Sequence, residues 1–245
     1  GMCEINQSAK ECSELALPDW LIDELGVNKD GVVARSINPP DADDSAEGSC
    51  GKYFYPNSGN KQFQKRWAEM VMVLGKKYDN DPRVNFIHIA TGPDGEAITT
   101  MFNQRTYEKA EGGTATCPRA EVPLHRDWII GDPASPDVWK RGVIHIYREA
   151  FKNKPIFIIN TGSNYRVGLA ERALEVSPHA GIKMHSWHPD LPGEYEEGSH
   201  VRVLKWYREN CQNDCLIGLE HAYAQNRHFT YWAMMYALAH KATLF

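Results

Sequence analysis

The sequence predicts an α/β fold organised around a parallel sheet, and three observations carry that expectation. From residue 60 onward, segments with apolar residues at helical spacing alternate with short β-rich runs, the order that repeated βα units produce. The runs are apolar almost throughout, so they read as buried strands. At 245 residues, with 42% hydrophobic and 24% charged side chains, the chain can bury a sizeable core, and its ordinary globular composition excludes disorder, collagen and coiled coil.

Before residue 60 the pattern is irregular: Gly31-Val-Val-Ala-Arg35 reads as a strand and Asn38 to Glu47 as a polar loop. The first clear helix is predicted over 61–78, where Phe63, Trp67, Met70, Val71, Leu74 and Tyr78 form an apolar stripe that stops at Asp79-Asn-Asp-Pro82. Val84 to Ala90 reads as a strand ended by the turn residues Gly92-Pro-Asp-Gly95. A polar, glycine-rich excursion from Asn103 to Arg119 follows. The stripe then returns at Trp139, Val143, Ile146, Tyr147 and Ala150, and Pro155 to Asn160 supplies the next strand.

Two further units repeat this order. Val167, Ala170 and Leu174 mark a helix, Gly181 to His185 a strand, Val201 to Asn210 a helix and Cys215 to Leu219 a strand. Phe229, Trp232, Ala233 and Tyr236 mark a last helix, and Ala242 to Phe245 looks like a strand that has just begun. Counting Gly31 to Arg35, there are about six βα-type strands, two short of the eight that close a barrel.

A net charge of -5, with no Lys/Arg block longer than a pair, offers no footprint for duplex DNA or an anionic membrane. No run approaches the roughly 20 apolar residues that span a bilayer, and the first residues lack the basic start and apolar stretch of a signal peptide, so a soluble protein is expected with its compartment open. The six cysteines are too few for a disulfide scaffold and form no paired Cys-x-x-Cys array for zinc. Cys211 and Cys215 read as a helix end followed by the buried start of a strand, in preference to a functional thiol pair.

In parallel α/β architectures the reactive groups stand at the carboxyl ends of strands. Glu96 follows the strand Val84 to Ala90 across its glycine turn, and Glu220 follows Cys215 to Leu219 directly. Either residue alone reads most simply as a helix N-cap or a solvated loop charge; as a pair on one rim they are what glycoside hydrolysis requires. Asn160, His185, Trp187, His188, His221 and Tyr223 stand at or just beyond neighbouring strand ends. Aromatic platforms beside hydrogen-bonding side chains suit sugars, which present apolar ring faces and many hydroxyls.

Three stretches resemble the clan A glycoside hydrolases, particularly bacterial β-galactosidase-like and cellulase-like members. Tyr78-Asp-Asn-Asp-Pro-Arg-Val84 is similar to the Tyr-x-x-x-Pro-x-Val passage before their fourth strand, and Gly92-Pro-Asp-Gly-Glu96 follows it. Leu17-Pro-Asp-Trp-Leu21 is similar to the Pro-x-Trp-Leu segment after their second strand. The resemblance spans roughly Leu17 to Phe245 and implies a TIM-type (β/α)8 barrel as one domain over 1–245, incomplete or irregular at its N-terminus, as in a fragment of a longer barrel. Its open edges would be covered by the N-terminal segment, by a second copy, or by both.

By strand order the resemblance implies Glu96 as acid/base and Glu220 as nucleophile, acting on an oligosaccharide or polysaccharide without metal or cofactor. Carboxyl groups about 5 Å apart would mean retention of configuration, the expected outcome, and roughly 6.5 to 9.5 Å inversion. Gly95 stands where many clan members have a substrate-binding Asn, and the Arg expected near their second strand has no counterpart. The alternative is therefore a non-catalytic carbohydrate-binding barrel. A rival reading makes His185, His188, Asp190 and His221 zinc ligands, but no His-x-His on an early strand accompanies them. Phosphate-binding loops, a Gly-x-Ser-x-Gly elbow and His-Glu-x-x-His do not occur in the sequence.

Overall fold

A computed structural model describes residues 18–26, 32–36, 52–56, 58–89, 105–108, 114–117, 126–160, 167–177, 179–187, 200–212, 215–221 and 227–244. The loop expected over 38–47 and the turn over 92–95 lie outside these residues. In chain order the elements are α1 (Asp19–Leu25), β1 (Val32–Ser36), β2 (Lys52–Pro56), α2 (Lys61–Tyr78), β3 (Ile87–Ile89), β4 (Arg105–Glu108), β5 (Thr114–Cys117), α3 (Arg126–Ile130), α4 (Val143–Ala150), β6 (Ile156–Asn160), α5 (Val167–Val176), β7 (Gly181–Trp187), α6 (His200–Asn210), β8 (Ile217–His221) and α7 (Arg227–Ala239). The chain divides into two compact units, Gly1–Arg66 with Thr100–His125, and Trp67–Thr99 with Arg126–Phe245.

The first unit holds two antiparallel pairs. Gly31 to Arg35, expected as a βα-type strand, corresponds to β1, which pairs antiparallel with β2 from Val32↔Pro56 to Ser36↔Lys52. The aromatic run Tyr53-Phe-Tyr55 favours an extended partner strand here. Likewise the polar excursion contains β4 and β5, paired antiparallel from Arg105↔Cys117 to Glu108↔Thr114, with Thr106, Tyr107, Thr114 and Thr116 supplying β propensity. In the same unit Arg66 Nε donates to both carboxylate oxygens of Glu24 at 3.1 Å, tying α1 to the first turns of α2. This hydrogen bond, followed by that from Gln62, holds the Glu24 carboxyl below its ordinary pKa.

Helix α2 occupies the predicted 61–78, because its stop and start signals are local. Asn60 Oδ1 accepts hydrogen bonds from the backbone N–H of Gln62 and Phe63 at 2.9 and 3.0 Å, an N-cap that satisfies two donors the helix cannot. The buried face is narrower than the predicted stripe: Phe63, Ala68 and Val71 are buried, whereas Met70, Val73 and Leu74 are exposed. At Gly75 an added Cβ would lie 2.2 Å from the carbonyl oxygen of Ala150, so this helix meets the end of α4 backbone to backbone.

The second unit is built on a parallel sheet with order β3-β6-β7-β8. The strands of this sheet therefore follow chain order, with β4 and β5 falling between its first two, and the winding does not reverse. Beyond β8, Leu244 forms a parallel bridge to Gly218, and Leu219 N donates to Leu244 O at 2.9 Å, so of the strand expected over 242–245 the described residues show a single bridge. Helices follow the same order: α3 packs on α4, α4 on α5 and α5 on α6, which makes one helical layer. An α/β architecture with a parallel sheet is thus present; four of the six strands counted from sequence lie in it, and a fifth reaches it only as the single bridge at Leu244. Among the described residues the array holds those four strands and that bridge, and an eight-stranded closure is not seen.

Strand alternation gives the sheet two unlike faces. Ile89, Ile156, Ile158, Ile182, Met184, Ile217 and Leu219 form an aliphatic row, every member at most 1% exposed, of the kind a helical layer covers. The opposite row runs through His88, Phe157, Ile159, Gly181, Lys183 and Gly218. Its members share a face directly: the His88 and Phe157 rings lie 5.9 Å apart, and a Cβ at Gly181 would meet the Phe157 ring at 2.6 Å.

The Tyr78–Val84 passage serves the amino-terminal end of this sheet. Asp79 accepts from Asn153 N and Nδ2 at 2.9 and 2.8 Å, Lys154 Nζ donates to Asp81 O at 2.8 Å, and Asp81 holds Arg83 through three hydrogen bonds, one from the Arg83 backbone N–H. Ile87 N then donates to Pro155 O, which starts the β3–β6 ladder. The predicted helix over 139–150 is shortened to α4 after a 3-10 turn at Val138–Lys140, because Gly142 adopts φ +97° where its backbone presses on Ile129 and Ile130.

Tyr207 locks α6 to two strands. Its hydroxyl donates to Ala180 O at 2.7 Å and accepts from Leu216 N at 3.2 Å, while the ring is buried. Burial pushes the hydroxyl up to about 12, as it does for Tyr147. Each contributes stability that is fully present below the unfolded pKa near ~10 and is lost as pH rises through the folded value. Tyr207→Phe should cost about 1–3 kcal/mol in urea unfolding at neutral pH, since Ala180 O and Leu216 N lose their partner. It should also remove part of the stability loss between pH 10 and 12, and an unchanged midpoint and alkaline profile would contradict this role.

Cys211 caps α6 and Cys215 leads into β8, as read from sequence, and their sulfurs form a disulfide with Cα atoms 5.8 Å apart. The pairing is a finding beyond the expected helix-end and strand-start reading. It closes the α6–β8 connection, next to Thr243 Oγ1, which accepts from Ile217 N.

Candidate active site

The parallel ladder brings most of the sequence-predicted positions to one edge. Asn160 ends β6 and pairs with Met184; His185, Ser186 and Trp187 continue β7 past that pair; Glu220 and His221 end β8. The backbones of Asn160, His185, Trp187, Glu220 and His221 therefore gather at the carboxyl end of three adjacent strands. Their side chains, and Glu96, His188 and Tyr223 as whole residues, lie outside the described part of the structure, as do Asp190 and the segment 192–198.

Register separates these positions into two groups. Position 220 follows Gly218 in the mixed row, whereas Asn160, paired with Met184, and His221, paired with Trp187, continue the aliphatic row. A β-bulge sharpens the distinction. Between the pairs Met184↔Leu219 and Trp187↔His221, β7 advances three residues while β8 advances two, so His185 and Ser186 together oppose Glu220. One extra residue on one strand bends it and resets its facing, a device common beside functional sites.

Sequence reasoning passed over Lys183. This residue is the register partner of Gly218, its side chain lies within 3.1 Å of where a Gly218 Cβ would stand, and it is half-buried in the row that leads to position 220. Its signal was present as a single charge inside the apolar run Gly181-Ile-Lys-Met, since lysine is seldom placed in a sheet interior without purpose. His88, half-buried two strands away, is a second polar group of that row.

Among the described residues no group of three or more His, Cys, Asp or Glu side chains is arranged to hold a metal ion. No described helix is long and apolar enough to cross a membrane. A cavity of about 350 Å³ lined by Leu204, Lys205, Arg208, Glu209 and His240 adjoins the carboxyl-terminal halves of α6 and α7. Helices that return between parallel strands run opposite to them, so this cavity belongs to the strands' amino-terminal side, away from the gathered rim. The chain matches no protein-family model, no curated protein and no solved structure.

Proposed function

We propose that the chain is a glycoside hydrolase of the TIM-type (β/α)8 class, which cleaves O-glycosidic bonds with Glu96 as acid/base and Glu220 as nucleophile. One observation carries the reading: Glu220 falls at the carboxyl end of the last of four parallel strands that follow chain order, opposite a bulge bearing His185. Sequential parallel order with one helical layer is the winding of a barrel, and barrel enzymes place their chemistry at that end. The resemblance of Tyr78 to Val84 to the clan A passage supports the assignment of β3 as the strand before Glu96.

In the proposed mechanism the Glu96 carboxyl gives its proton to the glycosidic oxygen as the Glu220 carboxylate attacks the anomeric carbon. The bond to the leaving sugar breaks and a glycosyl-enzyme ester forms. Water then attacks the anomeric carbon, Glu96 takes its proton, and Glu220 leaves as carboxylate, so configuration is retained. Lys183 supports this division of roles, because a lysine in the same row as position 220 would favour an ionised carboxylate there. His185, His188 and Tyr223 would offer hydrogen bonds to hydroxyls, whereas the register carries Asn160, Trp187 and His221 on the row opposite position 220.

The experiment is turnover of a panel of aryl glycosides by the full chain, paired with binding of the corresponding free sugars. Turnover that releases the β- or α-sugar of the starting configuration supports the reading. Sugar binding without turnover supports the carbohydrate-binding alternative, which Gly95 in place of Asn favours, and absence of both overturns the carbohydrate assignment.

A further inference from the structure

We infer that Arg141, His145 and Arg172 form a binding site for a small oxyanion between α3, α4 and α5, in the helical layer and apart from the strand-end rim. Backbone packing assembles the site. Gly131 and the Arg141–Gly142 peptide are in contact, an added Cβ on Gly131 lying 2.2 Å from Arg141 C, and Arg172 Nε donates to Ile130 O at 3.2 Å. Both arginines are thereby anchored on the same Ile130–Gly131 turn. Their side chains are 20% and 11% exposed, and His145 is 24% exposed.

The hydrogen bonds already made fix which donors remain. Arg141 Nη1 is 2.8 Å from His145 Nε2, and a guanidinium can only donate, so Nε2 accepts and the neutral imidazole carries its proton on Nδ1. That Nδ1 is buried without a partner, as are Arg141 Nε and Arg172 Nη2. Arg172 Nη1 is taken by Glu175 at 3.0 Å, and the Glu149 carboxylate lies 3.8 Å from both Arg141 Nη1 and His145 Nε2. The carboxylates thus engage Arg172 Nη1 and the Arg141–His145 contact, and three N–H groups on three side chains are left without a partner.

Buried N–H groups left unpaired are costly, and a ligand rich in acceptors and without donors is the kind that relieves them. An oxyanion is such a ligand: a phosphoryl or carboxylate group, free or carried by a larger molecule. Burial, followed by the Arg141 charge, lowers the His145 pKa, with Arg172 adding to this and Glu149 opposing it. A bound anion acts in the opposite direction, so occupancy has a local spectroscopic reporter.

The test is an NMR titration of the His145 ring in the full chain, assigned with His145→Gln, against sodium phosphate at constant ionic strength, with parallel arms of acetate and chloride. Saturable shifts with phosphate or acetate and a rise in the His145 pKa are expected, the stronger of those two arms identifying phosphoryl or carboxylate as the natural group. Arg172→Met should weaken binding by about tenfold or more. Arg141→Lys keeps the charge near Glu149 and deletes the Nε donor, so it should also weaken binding and serves if Arg172→Met fails to fold. The inference is overturned by an unshifted His145, by chloride acting as strongly as the oxyanions, or by unchanged affinity in Arg141→Lys.

Discussion

Glu220→Gln is expected to reduce turnover of activated aryl glycosides to background, while Glu96→Ala leaves their first step nearly intact. The asymmetry follows from the proposed roles. An amide cannot form the glycosyl ester, whatever the leaving group, whereas a good leaving group departs without the proton that Glu96 supplies. With a poor leaving group such as a sugar alkoxide, Glu96→Ala should instead lose roughly 10²- to 10⁴-fold, the usual worth of general acid catalysis. Pre-steady-state release of a dinitrophenolate separates the two steps, and equal loss of the burst in both variants would contradict the split.

The largest effect on stability is expected at Gly75. Helix propensity alone says that Gly75→Ala in the interior of α2 should stabilise by roughly 1 kcal/mol. Close approach says the reverse, because the new Cβ would stand 2.2 Å from Ala150 O and 2.7 Å from its carbonyl carbon, both backbone atoms that cannot swing aside. Helix separation or backbone shift of this kind costs about 3 kcal/mol, a large fraction of the roughly 5–15 kcal/mol that holds a domain together. The two effects have opposite sign, so a lower urea midpoint at unchanged slope supports the contact and a higher one removes it.

What the sequence made legible is what local chemistry decides. The limits of α2 are written in Asn60 and in Asp79 to Pro82, and the apolar runs of β6, β7 and β8 are bounded by residues close to them in the chain. Pairing is decided by distant partners, which is why Gly31 to Arg35 was expected beside the parallel strands and instead pairs with β2. Periodicity marks a helical stripe without saying how much of it is covered, so Met70 and Leu74 were expected inside and are exposed. The same limit governs the site. Strand order brings the backbones of Asn160, His185, Trp187, Glu220 and His221 to one edge, but the bulge after Met184 alters which positions share a face. The Arg141, His145 and Arg172 cluster left only a weak trace, the four-residue spacing of Arg141 and His145, because Arg172 reaches it from another helix.

The central claim is that Glu220 is a glycosidic nucleophile, and trapping the covalent intermediate tests it most directly. A panel of 2-deoxy-2-fluoro glycosides with dinitrophenolate leaving groups slows hydrolysis of the ester more than its formation, so the intermediate accumulates. Intact-mass and peptide-mass measurements on the full chain should then find one added fluoroglycosyl group, on the peptide containing Glu220, and none in Glu220→Gln. A label on another carboxylate, or no label from any member of the panel, would contradict the account.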